Sequence, residues 1–417
     1  MASEAADAGN AAPALPTLRG ARWALMFGNF VIGCGVMVVA GSLNDLTRSL
    51  DVSVALGGQL IAIAAVVMCI GAPLLAAAIG GWDRRRLLTF SLVWYAIGHL
   101  LSAVMPSYAV LTPVRALTML AAAVFTPQAA AAMGWLAPPA ERGRAITFIF
   151  LGWSVASVFG MPLHSYIGES FGWRWAFGLV AVLGVAGAAW VWAVMPDGVR
   201  PPAMSLRAWR EVLTHPALMA IVAVTALSGA GQFTVFTYFA PYYKQVLGAG
   251  ATEISLLFAW FGAFGVLGNV LLSRHVDRVG AARAVAAMLA FIAFSLLIWP
   301  LGVGYLSMAL LLVPWALGLF SSNSAQQARL GQAAPALAPA LMALNTSAIY
   351  LGQAIGAAGG GAVVAAHGLA GASGRDLYVG LNWIGLAWVV GALALSLWAE
   401  RRLRRGDDAQ DGFSKNT

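Results

Sequence analysis

The chain has 417 residues, 60% of them hydrophobic and only 10% charged, with a formal net charge of +8 and a mean hydropathy of +0.81. A water-soluble domain carries about 25% charged residues, so this composition excludes an ordinary soluble enzyme or binding module. The arginines fall in short gaps between apolar runs and form no continuous basic face, so nucleic acid is not an expected partner.

Twelve apolar stretches are each long enough to cross a bilayer. They cover 22–44, 56–80, 87–106, 108–136, 144–168, 173–195, 216–243, 252–273, 283–303, 305–329, 338–366 and 377–399. A bilayer core of about 30 Å needs roughly 20 apolar residues of helix. In lipid every backbone polar group must be paired within its own segment, so such runs form helices. Breakers mark the gaps, among them Gly80-Gly81, Pro106, Pro138-Pro139, Gly172 and Gly280. The predicted fold is an all-α membrane protein in two six-helix bundles. The expected units are a disordered tail over 1–20, a bundle over 21–195, a linker over 196–215, a bundle over 216–400 and a tail over 401–417. The linker holds Pro201-Pro202 and a basic amphipathic piece at Leu206–Leu213. The first residues are Ala-, Pro- and acid-rich, and no cleavable signal peptide is expected. Cys34 and Cys69 lie inside apolar runs and read as packing residues, so no disulfide or metal framework is expected.

If the N-terminus is cytoplasmic, nineteen Lys and Arg fall in inside segments and four (Arg48, Arg174, Lys244 and Arg375) outside. Arg115, within span 4, completes the 24. This bias predicts both chain ends in the cytoplasm. The two halves echo each other. Gly81-Trp82-Asp83-Arg84-Arg85-Arg86 follows span 2, and Arg274-His275-Val276-Asp277-Arg278-Val279-Gly280 follows span 8. A repeated six-helix unit points to two bundles around a midplane site. Asp83 or Asp277 could lie against a neighbouring helix N-terminus and hold one mouth shut; a solvated topogenic loop is the plain alternative.

Further motifs are Gly71-Ala72-Pro73-Leu74-Leu75 running into Asp83, Pro138-Pro139-Ala140-Glu141-Arg142-Gly143-Arg144-Ala145, and Gly160-Met161-Pro162-Leu163. With them come Gly172-Trp173-Arg174-Trp175, Gly268-Asn269, and Tyr350-Leu351-Gly352-Gln353-Ala354-Ile355-Gly356. In order and spacing the chain resembles the major facilitator superfamily, in particular the arabinose-efflux-permease-like branch of the twelve-helix drug:proton antiporters. Ile79 and Arg86 depart from the glycines of the wider superfamily loop, and the motif after Arg115 is also altered.

The resemblance implies a monomeric secondary transporter of a bacterial inner membrane. It would work by alternating access, with a proton gradient as energy source and no cofactor. Asp83, Arg84, Asp277 and Arg278 would serve the inner gate, and Gly160 and Pro162 the bending of span 5. It also implies that spans 1, 4, 7 and 10 line the cavity. Polar residues there are Asn29, Arg115, Gln128, Gln232, Tyr238, Asn323 and Gln326; each could bind solute or simply bond helix to helix. No Asp or Glu lies in the middle of an expected span, the nearest being Asp45 and Glu169 near span ends. Proton coupling is therefore expected of Asp45 paired with Arg115, or of His164, whose plain reading is a side chain reaching to the interface from a helix end. His99 could titrate or could be a satisfied packing residue. A fixed cation without a fixed anion favours neutral or weakly anionic solutes over cationic drugs. A membrane sensor on the same fold and a polytopic enzyme are the other classes. The five scattered histidines, at 99, 164, 215, 275 and 367, speak against the enzyme.

Overall fold

The computed structural model describes residues 15–52, 54–200 and 205–414, apart from a few side chains. The tail over 1–14, Pro201-Pro202, Lys415 and the Glu169 side chain lie outside the described residues.

Among the described residues twelve helices are long and apolar enough to span a bilayer. In the first bundle they are α1 (Leu15–Gly41), α2 (Val54–Ala78), α3 (Arg84–Val104), α4 (Tyr108–Leu136), α5 (Arg142–Val155, continuing as Met161–Phe171) and α6 (Trp173–Val194). In the second they are α7 (Pro216–Phe236, continuing as Phe239–Val246), α8 (Ala251–Val279), α9 (Ala281–Ile298), α10 (Tyr305–Ala333), α11 (Ala338–Leu369) and α12 (Leu381–Ser414). A short helix, Leu43–Ser49, fills the expected loop after α1, and the linker helix is Leu206–Thr214. The linker's carbonyl at Val199 accepts from the Arg84 amide at 2.9 Å. Arg85 reaches back to it too, 4.0 Å from Asp197, with its guanidinium over the Trp192 ring.

Two large apolar clusters fill the bundles, one built around Leu25, Ile32, Tyr95 and Phe177 and one around Phe239, Phe261, Leu289 and Trp315, the second also taking in Ile146 and Phe150 of α5. Trp153 packs against both. Small residues set the helix spacing. Gly152 and Gly160 of α5 face α1, and Gly168 faces Ser42 just beyond its end. A Cβ on Gly152 would meet Met26 O and lie 2.6 Å from Phe30 N, and one on Gly160 would lie 3.4 Å from Cys34 Sγ. In the second bundle Gly352, Gly356 and Gly360 of α11 face the backbone of α7 in the same way. Close backbone approach of this kind is how helices pack where lipid supplies no hydrophobic drive.

Between the two parts of α5, Ala156–Gly160 forms a π turn, directly before Met161-Pro162. Pro162 has no N–H to donate back along the helix, so the hydrogen-bond ladder widens there. Gly172 (φ 97°) and Gly280 (φ 88°) each join two helices through a single residue. Both dihedrals suit glycine alone.

Candidate functional site

The arginine-bearing loops after α2, α4, α8 and α10 share one face of the molecule, called here the basic face. The bundles are clasped there. Asp277, near the end of α8, accepts a hydrogen bond at Oδ2 from the Arg144 amide at 2.9 Å. That amide belongs to the first turn of α5, where free N–H groups and the helix dipole attract a carboxylate. Gly143 allows the approach, since a Cβ there would run into Asp277 Oδ1 and lie 2.7 Å from Gln332 Nε2. Behind the clasp, Ile146 packs where Gly134 and Gly331 leave room. Residues 121–134 of α4 and 324–331 of α10 are buried without interruption.

The two Asp-Arg loops do different work. Asp83 is the N-cap of its own helix, accepting from the Arg86 amide at 3.0 Å. Arg84 is fully buried and donates to Gly80 O at 3.0 Å. That loop binds the linker and its own bundle. Arg278 is exposed.

Nearer the midplane, the halves meet through Asn269, whose Nδ2 donates to Ser154 Oγ at 2.8 Å. They meet again through Ser347 of α11, whose hydroxyl donates to the Cys69 carbonyl of α2. Each bundle also holds a polar cluster. In the first, Thr126 donates to Asn29 Oδ1 at 2.8 Å, Asn29 donates to Ile149 O at 3.3 Å, and Trp153 Nε1 approaches Thr126 at 3.4 Å. In the second, Thr225 donates to Asn345, which reaches Asn323 at 3.5 Å.

Of the residues expected to line a cavity, only Asn323 and Tyr238 are more than slightly exposed. Asn29, Gln232 and Gln326 are used between helices. Gln232 accepts from Trp315 Nε1 at 3.0 Å, and Gln326 donates to Ile221 O at 2.6 Å. Gln128, like Gln327 of α10, is buried with neither amide atom partnered by protein. Tyr238 sits at the break in α7 and donates to Ala357 O at 2.9 Å.

Arg115 is fully buried inside the first bundle. Its NH2 donates to Val36 O and its NH1 contacts His99 Nε2, both at 3.2 Å. The expected pairing of Asp45 with Arg115 does not occur. Asp45 Oδ2 accepts from the Trp173 amide at 2.7 Å, because the α6 N-terminus presents free N–H groups to the Leu43–Ser49 helix. Among the described residues the ion pairs are Arg85–Asp197 and Arg329–Glu400. His164 does not reach to the interface: it is fully buried with neither ring nitrogen hydrogen-bonded. A groove of ≈ 270 Å³ between α8 and α9 is lined by apolar residues such as Leu271, Met288 and Phe291, and shares no residue with either polar cluster.

Asn269 and the Ser347–Cys69 pair were not legible as site residues. Their partners lie 115 and 278 positions away, and only Gly268-Asn269 stood out in the sequence.

Among the described residues, two bundles of six spanning helices joined by a polar clasp at one face and small polar contacts at the midplane make the architecture of a membrane transporter. The family model for the Major Facilitator Superfamily matches residues 25–357, and the chain belongs to that family. It is a multi-pass membrane transporter of small-molecule solutes, not an enzyme. Among relatives, the inner membrane transport protein YdhP of Escherichia coli (strain K12) is 28% identical over 343 residues, 82% of this chain and 88% of its own. A chloramphenicol resistance protein of Streptomyces lividans is 33% identical over 251 residues, 59% of this chain and 64% of its own. The crystal structure of the human organic anion transporter MFSD10 (TETRAN) has the same fold, with a TM-score of 0.72 and 14% identity over 92% of this chain and 99% of that one.

Proposed function

We propose that this protein is a proton-coupled exporter of a small neutral or weakly anionic organic solute, of amphenicol, sugar or nucleoside type. It would sit in a bacterial inner membrane with its basic face and both chain ends in the cytoplasm. The arginine bias supports that orientation, and the likeness to YdhP supports the membrane.

The observation that carries the reading is the Asp277–Arg144 amide clasp. It joins the bundles by a charge-assisted bond at the mouth, in front of the apolar packing around Ile146, and the mouth would open by rocking of the bundles. When the bundles part, the unpaired amides of Gln128 and Gln327 become available to solute or water. Both are neutral groups, and the charge buried inside the first bundle's α4 is a cation, Arg115. That set suits a polar uncharged ligand better than a cationic one. The 33% identity to a chloramphenicol resistance protein points the same way.

The test is binding by the purified protein. Chloramphenicol should raise the melting temperature, because a ligand that binds only the folded state stabilises it. A lipophilic cationic dye should not. The opposite ranking would overturn the substrate class.

A further inference from the structure

His99 lies in α3, fully buried in the first bundle. Its Nδ1 is 2.8 Å from the carbonyl of Tyr95, one turn earlier. Its Nε2 is 3.2 Å from Arg115 NH1 and 3.4 Å from Gly35 O. These two neighbours ask opposite things of one nitrogen. A guanidinium can only donate, so the contact to Arg115 needs a bare lone pair on Nε2. A carbonyl can only accept, so a bond to Gly35 needs an N–H there. Nδ1 faces a carbonyl in either case and keeps its hydrogen. One ring position therefore serves two arrangements that differ by one proton. The neutral ring accepts from Arg115 on α4; the doubly protonated ring donates to Gly35 O on α1.

The packing brings both partners within reach of the ring. Glycine at 35 lets the ring reach the α1 backbone, since a Cβ there would lie 2.7 Å from His99 Nε2. Tyr95 meets the imidazole edge-on at 4.3 Å and anchors to Ile32 O at 2.8 Å. The other titratable or charged groups near the pair are Cys34 on α1, Arg115 on α4, His164 on α5 and, from the second bundle, Tyr350 on α11. The α6 neighbour is Phe177, with ring centroids 5.8 Å apart. Among the described residues none of these is a carboxylate.

We infer that His99 takes up the coupling proton, exchanging Arg115 for the Gly35 carbonyl as the partner of Nε2. The inference rests on the proton-coupled reading above. In the step, a hydronium ion gives its proton to the Nε2 lone pair and leaves as water. The N–H bond forms and the Arg115-to-Nε2 hydrogen bond breaks. The imidazolium and guanidinium then repel each other. Arg115 also holds Val36 O of α1, so its displacement shifts α1 against α4. In the clasped conformation, with Arg115 donating, His99 is the proton-free form.

The experiment needs no solute. Distance tags are attached through an unnatural amino acid at Ala140 and Arg283, exposed positions on the basic face of each bundle. The open population is then read by pulsed electron resonance in nanodiscs between about pH 8 and about pH 5, the range over which an imidazole changes charge. The expected result is a change of about fivefold or more in the wild type, the scale of ordinary site-to-site coupling, and less than about 1.5-fold in His99→Gln. Equal responses in both proteins would overturn the role of His99 while leaving proton coupling standing. No response in the wild type would overturn both. Where His99→Gln does not fold, wild-type [15N]histidine spectra decide. A buried ring passing from the neutral Nδ1–H tautomer to the imidazolium together with the distance change supports the inference; a distance change while the buried rings stay neutral contradicts it.

Discussion

Removing the Asp277 carboxylate should loosen the mouth without unfolding either bundle. Asp277 accepts from one amide at 2.9 Å at the start of α5 and is partly exposed. A hydrogen bond to a charged group contributes about 1.5–3 kcal/mol when well buried, and a charge at a helix terminus about 0.3–1 kcal/mol when exposed. For this half-exposed clasp, Asp277→Ala should lower the preference for the closed mouth by about 1–2 kcal/mol, roughly five- to thirtyfold in the closed-to-open ratio. Asp277→Asn keeps an oxygen acceptor and loses only the charge, so its effect should be about 0.5–1 kcal/mol, or two- to fivefold. The assay is alkylation of a cysteine at Ile146, which is fully buried behind the clasp, by a maleimide presented to the basic face. Its rate should rise in the order wild type, Asp277→Asn, Asp277→Ala. Equal rates in all three would refute the clasp. Asp83→Asn is the control. Asp83 caps its own helix, and asparagine caps about as well as aspartate, so this change should leave both stability and the rate nearly unchanged.

Gly152→Ala pushes a methyl into the α1 backbone near Phe30 N and should destabilise by about 1–3 kcal/mol in thermal melts, whereas Gly58→Ala, with nothing within 4 Å of the new carbon, should be neutral or slightly stabilising. Asp45→Asn keeps an oxygen acceptor for the α6 N-terminus but loses the charge, and should cost about 0.3–1 kcal/mol in a melt; proton-driven transport should persist, and its abolition in a folded protein would restore Asp45 as the relay. Trp315→Phe strands the Gln232 carbonyl that now accepts from the indole, and a melt should show a loss of about 1–3 kcal/mol.

The helices were legible because spanning is set by length and hydropathy alone. Pro106 and Pro138-Pro139 bracket α4, and the expected 108–136 matches Tyr108–Leu136. Charge misled at other ends. Arg274 suggested a stop for α8, yet the helix runs to Val279, and α12 continues to Ser414, since outside lipid a charged residue does not end a helix. The small residues Gly152 and Gly160 of α5 are visible in the sequence, but eight residues make about 2.2 helical turns, so their spacing alone does not put them on one face. Which Asp-Arg loop reaches across the bundles was not readable. Asp83 and Asp277 have similar local sequences, and only the spatial neighbour, the linker in one case and the α5 N-terminus in the other, separates them. The Arg115–His99 contact was hidden for the same reason. It depends on Gly35 of α1, 64 positions from His99, and no periodicity within one helix reports it.

The most direct measurement is uptake of labelled chloramphenicol into inside-out vesicles carrying this protein, with an imposed acid interior. Exchange against entering solute should accumulate the drug several-fold over vesicles without the protein, and a protonophore should abolish the gradient. Uptake indifferent to the pH difference, or equal in vesicles lacking the protein, would contradict proton-driven export.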